Sequence, residues 1–232
     1  MNGVILQPSY LPWRGYFDLI RRADVFVFYD DVQYDKHGWR NRNRIKTANG
    51  PQWLTVPVHS KGNTTERVLL ADTKINYAQD WPRKHAMTIR QSYSRAPFFA
   101  EYADTFDGFF ATRHEKLVDL TIQTTLTLAR LLGIATTRFV RSSELKIEGD
   151  RTERLVRILQ AVGATHYISG PSAKSYIDDA MFADAGIGLE YIVYDYPSYP
   201  QLHTPYDPQV SAIDLLVMAG RDAPRYLLPA TT

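Results

Sequence analysis

Short apolar runs and amphipathic stretches alternate along the start of the chain. Residues 3–7 form an apolar run that stops at Pro8, and residues 25–29 form a second run, so both are predicted to be buried strands. Residues 13–23, between them, space their apolar side chains as one face of a helix does. A strand, a helix and a strand within about thirty residues predict a right-handed βαβ unit.

The alternation continues to the end of the chain. Residues 80–132 are predicted to be a helical insertion, because apolar side chains repeat with helical spacing in their second half. Further strands are predicted at residues 53–58, 138–141, 166–169 and 189–194. Further helices are predicted at residues 151–162 (capped by Asp150), 179–185 and 210–219. This order predicts an α/β fold, with a mostly parallel sheet covered by helices on both faces, in a single domain of residues 1–232.

Composition excludes several classes of protein. Hydrophobic residues make up 44% of the chain and charged residues 22%, a balance that argues against disorder. Cysteine is absent, which excludes disulfides, a thiolate nucleophile and cysteine-ligated zinc. No sequence resembling a signal peptide or a membrane span is present, so we expect a cytoplasmic protein without membrane insertion. The formal net charge of +2 argues against general nucleic-acid binding.

Three unusual segments follow predicted strands, at residues 7–16, 30–44 and 169–174. Ligands of open parallel sheets bind beyond the carboxyl ends of the strands. We therefore expect these three segments to converge on one site.

The first segment, QPSYLPWRGY, places four polar or aromatic side chains between two prolines and a glycine: Gln7, Tyr10, Trp13 and Tyr16. Gly15 permits close approach of a ligand, and the helix that follows has an N-terminus suited to an anion. The alternative is an aromatic loop that only plugs one end of the sheet.

The second segment contains two aspartates and a row of alternating arginines. Asp30 and Asp31, at a strand end, suit a metal ion, an amine or the role of a base. On an extended chain, the alternation would direct Arg40, Arg42 and Arg44 to one face and Asn41 and Asn43 to the other. Such guanidiniums suit a pyrophosphate, a carboxylate or a phosphopantetheine-like group, with Lys36 adding a point charge and Trp39 a stacking surface. The alternative is a solvated basic edge strand whose charges the aspartates balance.

The third segment, YISGPSAKSY, places Ser169, Gly170, Ser172 and Lys174 at a turn from a strand into a helix. Hydroxyls, backbone amides and one lysine suit a phosphate, although the spacing is not that of a Walker A motif. The alternative is a helix cap made by Ser172.

Histidines are scattered, and none has the spacing of a metal site, so no metal ligands are predicted. His85 lies on a predicted helix and is a candidate general base, the alternative being a surface or hydrogen-bonded core histidine. A GxSxG motif is also absent, which disfavours a serine hydrolase. Residues 195–210 hold several prolines and are predicted to be extended, forming either a wall of the site or a closing strap.

Several motifs in order resemble the WbqC-like protein family: QPSYLPWRGYFDLI, FVFYDDVQY, GWRNRNRI, WLTVPV, YISGPSAKSY and YPQ…SAIDLL. The resemblance spans nearly the whole chain and is weakest at residues 80–132. The resemblance implies that the gene lies in clusters for the biosynthesis of bacterial O-antigen and other surface polysaccharides. It also implies transfer of an amino acid, glycine in particular, onto an amino sugar. The layout also resembles, more loosely, that of the HIGH-type nucleotidylyltransferases, but the QPSYLPWRGY loop holds no histidine.

We interpret the chain as an acyl or aminoacyl transferase that forms an amide on a nucleotide-linked amino sugar. Its partners would be an amino sugar or another amine and an activated donor, such as an acyl carrier or an aminoacyl-tRNA. The candidate catalytic residues are Asp30, His85 and Lys36. The candidate substrate-binding residues are Gln7, Tyr10, Trp13, Tyr16, Trp39, Asn41, Arg42, Arg44, Ser169 and Lys174. No cofactor follows from the sequence. The alternatives are nucleotidyl transfer, which would require Mg²⁺, and a non-catalytic module that binds a glycan precursor or a carrier protein.

Overall fold

A computed structural model describes residues 1–36, 38–59, 68–149 and 151–228. The strands are β1 (Asn2–Leu6), β2 (Val25–Phe28), β3 (Arg42–Thr47), β4 (Gly50–Thr55), β5 (Arg138–Arg141), β6 (His166–Ser169) and β7 (Gly188–Tyr191). The α-helices are α1 (Arg14–Arg22), α2 (Trp81–Tyr93), α3 (Phe99–Ala111), α4 (Leu117–Leu131), α5 (Ser142–Leu145), α6 (Arg151–Val162), α7 (Asp179–Asp184) and α8 (Ala212–Ala219). Three short 3₁₀ segments occupy Leu70–Asp72, Pro171–Ser175 and Gly220–Leu227.

Five strands form a parallel sheet in the order β5-β2-β1-β6-β7. From the central β1 the chain first builds outward through β2 and β5, and then builds through β6 and β7 on the other side. The order of winding therefore reverses between β1 and β6. In open parallel sheets this reversal opens a crevice at the carboxyl ends of the two strands.

Both faces of the sheet are covered, which confirms the predicted α/β fold. Alternate residues of β2 belong to different clusters: Phe26 and Phe28 pack on the side of α1, the 80–132 helices and α8. Val25 and Val27 pack on the other side, against α6 and α7. This alternation follows from the two-residue period of a strand, and a strand buried on both faces reads as a continuous apolar run.

Helices α2, α3 and α4 fall within the range predicted to be helical. The buried residues of α2 recur at every fourth position, Trp81, His85, Ile89 and Tyr93, so one stripe of this helix faces the core. None of the described helices is long and apolar enough to cross a bilayer. Asp150, the predicted cap of α6, lies outside the described residues.

Strands β3 and β4 form a separate antiparallel hairpin. The predicted strand at residues 53–58 is shifted, since β4 begins at Gly50, whose φ of +98° suits glycine at the turn. Pairing with β3 sets this register. The hydrophobic pattern does not reveal that pairing because β3 is basic.

Candidate functional site

A cavity of about 290 Å³ lies at the carboxyl ends of β1 and β6, where the order of winding reverses. Its lining residues are Leu6, Ser9, Pro12, Trp13, Tyr16, Leu19, Trp39, Arg40, Asn43, Ser172, Tyr194 and Gln209. They come from all three of the segments expected to converge, from β1 and α1 on either side of the first segment (Leu6 and Leu19), and from two stretches nearer the C-terminus. The volume lies near the lower end of the range for small-molecule sites.

The loop between β1 and α1 forms one wall of this cavity. Tyr16 donates its hydroxyl to the Gln7 carbonyl at 3.1 Å, and the Tyr10 amide donates to the Trp39 carbonyl at 3.1 Å. A Cβ on Gly15 would lie 2.3 Å from the Trp13 ring, so glycine is required there for the indole to lie over the first turn of α1. The loop thus presents Trp13 beside the N-terminus of a helix.

Arg40 is a cation in the cavity wall whose hydrogen-bond partners are neutral groups. One of its terminal nitrogens donates to the Gln7 carbonyl at 3.0 Å and to the Ser9 hydroxyl at 2.9 Å. Its Nε is buried and makes no hydrogen bond within the described part of the chain, where no carboxylate pairs with this guanidinium either. Burial lowers the pKa of Arg40, the nearby Asp35 carboxylate opposes this effect, and an arginine remains charged at neutral pH. A partly buried guanidinium that lines a cavity favours an anionic ligand group.

Tyrosine and serine hydroxyls add donors on the opposite wall. The Tyr194 ring packs edge-on against Trp13, with the centroids 4.9 Å apart. Its hydroxyl lies so close to the end of β6 that a Cβ on Gly170 would be 2.9 Å from it. Burial raises the pKa of Tyr194 to about 12, and burial likewise raises the pKa of Tyr16. Both phenols are therefore protonated at neutral pH. The Tyr16 hydroxyl already donates to the Gln7 carbonyl, whereas the Tyr194 hydroxyl and Ser172 suit a ligand rich in oxygen acceptors.

The β3–β4 hairpin separates the asparagines from Arg42 and Arg44 as the alternation predicted, whereas Arg40 precedes β3 and lies in the cavity wall instead of beside them. Asn41 and Asn43 are buried and donate to the Val56 and Leu11 carbonyls at 2.9 and 2.7 Å. Arg42 and Arg44 lie on the outer face of β3. We call Trp39, Trp53, Arg42 and Arg44 together the hairpin aromatic face, because both guanidiniums lie over the Trp53 ring.

The Asp30 carboxylate lies in a buried ionic network rather than in the cavity wall. It accepts from Arg141 Nε at 2.7 Å, from the Ser143 amide at 2.9 Å and from the Ser143 hydroxyl at 2.9 Å. Asp31 pairs with Arg154. The described residues contain no cluster of side chains suited to a metal ion. These contacts join β2 to β5 and its following helix, and they give Asp30 a structural role.

His85 is also buried away from the cavity lining. Its Nδ1 lies 2.9 Å from the Tyr10 hydroxyl, and its ring packs against Trp81 and Phe110. Burial lowers the pKa of His85 to about 4, and a hydrogen bond to the backbone of Thr55 partly opposes this effect. The imidazole is therefore neutral at pH 7 and holds α2 against the first loop.

Of the proposed site residues, the cavity brings together Trp13, Tyr16 and Trp39. Gln7 contributes its carbonyl to Arg40, and Ser169 is buried with its hydroxyl 3.4 Å from that of Tyr167. Lys36 and Lys174 are exposed and do not line the cavity.

Sequence reasoning missed several lining residues. Arg40 belongs to the alternating row, but nothing in that pattern distinguishes it from Arg42 and Arg44. Tyr194 and Gln209 carry no local signal, since only the fold brings their distant segments to the cavity.

The segment before α8 supplies Gln209 to the cavity lining, and hydrogen bonds to residues outside the lining hold the segment in place. Gln201 donates to the Asp207 carbonyl at 3.0 Å and to Asp214 at 2.9 Å. The Lys46 ammonium, on a nearly fully buried side chain, donates to the Pro205 carbonyl. Burial raises the pKa of Asp214. Residues 195–210 were predicted to form either a wall of the site or a closing strap, and the segment does both: it lines the cavity and packs across the fold.

Comparison with known proteins agrees with the sequence motifs. The model of the WbqC-like protein family matches residues 7–226, a range that includes every lining residue except Leu6. The chain is 42% identical over 225 residues to "Uncharacterized protein Rv1507c" of Mycobacterium tuberculosis, and the alignment covers 96% of each chain. No solved structure matches the chain. The resemblance drawn from the motifs is confirmed.

Proposed function

Because this chain belongs to the WbqC-like protein family, we propose that it is an acyl or aminoacyl transferase that forms an amide on a nucleotide-linked amino sugar, in the biosynthesis of O-antigen or another surface polysaccharide. The observation that carries this proposal is the cavity at the reversal between β1 and β6, with the Arg40 guanidinium in its wall. A sugar presents hydroxyl oxygens to the protonated Tyr194 phenol and the apolar C–H face of its ring to indoles. A phosphate joined to that sugar supplies the anion for Arg40.

The reaction needs an amine and an activated carbonyl carbon. The amine nitrogen forms a bond to that carbon, and the bond from carbon to the leaving thiolate or ribose oxygen breaks. The leaving group takes up the proton that the amine loses, so the step balances without an added oxidant or reductant. In this proposal the cavity holds the amine near the donor, which raises the effective concentration of the nucleophile.

Asp30, His85 and Lys36 stay in this proposal as candidates for proton transfer, although none of them lines the cavity: Asp30 and His85 are engaged in buried contacts, and Lys36 is exposed. Because burial keeps His85 neutral at pH 7, its imidazole is in the form that accepts a proton. To act directly, it would have to exchange its contact with the Tyr10 hydroxyl for one with the substrate.

Mass spectrometry tests the proposal. UDP-linked hexosamines are incubated with the full chain and, separately, with amino acids plus ATP and Mg²⁺, with acyl thioesters and with aminoacyl-tRNA. We expect a mass gain equal to one acyl or aminoacyl group with one donor class. If the sugar nucleotide stays bound in native spectra but no donor gives a mass gain, the chain is a binding module. If there is neither gain nor binding, the acceptor class is wrong.

Two pairs of variants connect the activity to the cavity. Tyr194→Phe removes one donor and keeps the ring, so we expect kcat/KM to fall about tenfold, whereas Tyr176→Phe, an exposed tyrosine outside the lining, should leave it unchanged. Arg40→Gln removes the charge and should abolish sugar-nucleotide binding, whereas Arg40→Lys keeps the charge and should retain part of it. Circular dichroism checks folding, because Arg40 also fastens the first loop. Equal activity in Tyr194→Phe and Tyr176→Phe would contradict the assignment of the site.

A further inference from the structure

The hairpin aromatic face exposes two indoles beside each other. Trp39 is 41% exposed and Trp53 is 45% exposed, with their ring centroids 5.2 Å apart and their planes inclined at 34°. Burial of these two tryptophans would stabilise the fold, but both remain exposed. Adjacent exposed apolar side chains of this kind mark a site of interaction.

The strand register explains how the sequence builds this face. Arg44 lies directly across from Trp53 in the β3–β4 ladder, and Arg42 reaches the same ring from two residues away. Their guanidinium carbons lie 5.7 and 4.7 Å from the Trp53 ring centroid. A guanidinium stacked on a ring uses its flat face for that contact and keeps its N–H groups at the edge. The face therefore combines flat aromatic surface with donors for anionic oxygens.

The face is continuous with the cavity. Trp39 lines the cavity and also packs beside Trp53. Arg44 donates to the side-chain oxygen of Gln209, another lining residue, at 3.2 Å. A ligand that fills the cavity and extends past Trp39 and Gln209 would therefore reach Arg44 and Trp53.

We infer that the hairpin aromatic face is the nucleotide subsite of this cavity, taking the base and diphosphate of a nucleoside diphosphate whose sugar lies inside. The base stacks on the exposed indole of Trp53 beside Trp39. The diphosphate lies between Arg40 in the cavity wall and Arg44 at its mouth and accepts their N–H groups. The sugar packs against Trp13 and the Tyr194 hydroxyl. This inference rests on the proposed function and names the part of the substrate that each surface recognises.

The charge balance favours a small nucleotide over an RNA strand. Arg44 is already partly offset by Asp207, whose carboxylate lies 3.7 Å away, and the whole chain has a formal net charge of only +2. Each further phosphate of an RNA strand needs its own cation for tight binding. A diphosphate needs only the guanidiniums of Arg40 and Arg44.

Titrations with separate parts of the substrate test the inference. The full chain is titrated with UDP, with glucosamine and with a six-nucleotide oligouridylate, and binding is followed by calorimetry and by tryptophan emission. We expect UDP to bind and to quench the emission, and Trp53→Ala and Arg44→Gln each to weaken UDP binding about tenfold or more. Trp53→Phe should retain most of the affinity, because it keeps a stacking ring.

Matched controls lie elsewhere on the surface. Arg113→Gln alters an arginine that stacks on Tyr77, and Met87→Ala removes an exposed apolar side chain; neither should change the UDP affinity. Unchanged UDP affinity in both Trp53→Ala and Arg44→Gln would overturn the inference. Tighter binding of the oligouridylate than of UDP would also overturn it and would assign the face to RNA.

The outcomes separate this inference from the transferase proposal. UDP binding that depends on Trp53, without acyl transfer to any sugar nucleotide, supports the nucleotide subsite and refutes the transferase. Acyl transfer that proceeds equally well in Trp53→Ala supports the transferase and refutes the subsite.

Discussion

His85 makes the stability of the fold depend on pH in one direction. The imidazole is 7% exposed, and its pKa falls from 6.5 to about 4 because burial penalises the charged form. Its contribution is fully present above about pH 6.5, where the imidazole is neutral in both states. As pH falls, the unfolded chain takes up the proton first, so stability is lost down to about pH 4.

The size of the loss follows from the two pKa values. Linkage gives a loss of about 1 kcal/mol at pH 5.5 and about 2–3 kcal/mol at pH 4.5, relative to pH 8. Urea unfolding at a series of pH values measures it. His85→Asn keeps a polar group near the Tyr10 hydroxyl but removes the titration, so the stability advantage of the wild type over this variant should shrink by these amounts.

Other groups titrate in the same range, and the comparison removes their effect. Burial raises the pKa of Asp214, which contributes with the opposite sign, but it does so in the wild type and the variant alike. Tyr176→Phe serves as a control, because this exposed tyrosine is not among the contacts of His85, so its pH dependence should match that of the wild type. Parallel loss of stability in the wild type and His85→Asn between pH 8 and 4.5 would refute the reasoning.

Further changes have defined expected outcomes. Asp30→Asn leaves Arg141 without its buried carboxylate and should cost about 3 kcal/mol in urea unfolding. Gly170→Ala pushes the Tyr194 hydroxyl aside, so it should weaken sugar-nucleotide binding in calorimetry while costing about 1 kcal/mol or less in stability. Ser211→Ala removes the side-chain oxygen that accepts from the Ile213 amide at the start of α8, and it should lower the free energy of unfolding by about 1 kcal/mol.

Each of these changes has a control or a contrary result. Asp72→Asn disrupts an exposed pair with Lys116 and should cost less than about 1 kcal/mol, so equal losses in Asp72→Asn and Asp30→Asn would show that burial is not the cause. Unchanged ligand affinity in Gly170→Ala would remove Tyr194 from the site. A Ser211→Thr variant keeps an accepting oxygen and should retain most of the stability that Ser211→Ala loses.

The parallel sheet was predictable because its strands are buried on both faces. Such strands appear as continuous apolar runs, as at residues 25–28, and need no knowledge of distant partners. The opposite directions of Asn43 and Arg44 were predictable for a similar reason, since the two-residue period is local. The pairing of β3 with β4 was not, because a basic strand lacks that apolar signal.

The roles of the polar residues depended on partners far along the chain. Asp30 meets Arg141 and Ser143, and His85 meets Tyr10, across separations that no local pattern encodes. The local sequence around an aspartate at a strand end does not show whether its carboxylate will contact a ligand or an arginine. The position of the cavity, at the carboxyl ends of the strands, could be predicted from the sequence. The identity of its lining residues could not.

The central position of β1 has a consequence during synthesis. One edge of β1 pairs with β2 within the first thirty residues, but its other edge pairs with His166 and Tyr167, roughly 160 residues later. At about 5–20 residues per second, a ribosome takes roughly 10–30 s to deliver that partner. During this interval an apolar strand edge is open to wrong pairing, the hazard that unpaired edges carry. Completion of the sheet during translation therefore competes with aggregation through the open edge of β1. Slowing the ribosome after β2 should lengthen this interval and raise the demand for chaperones.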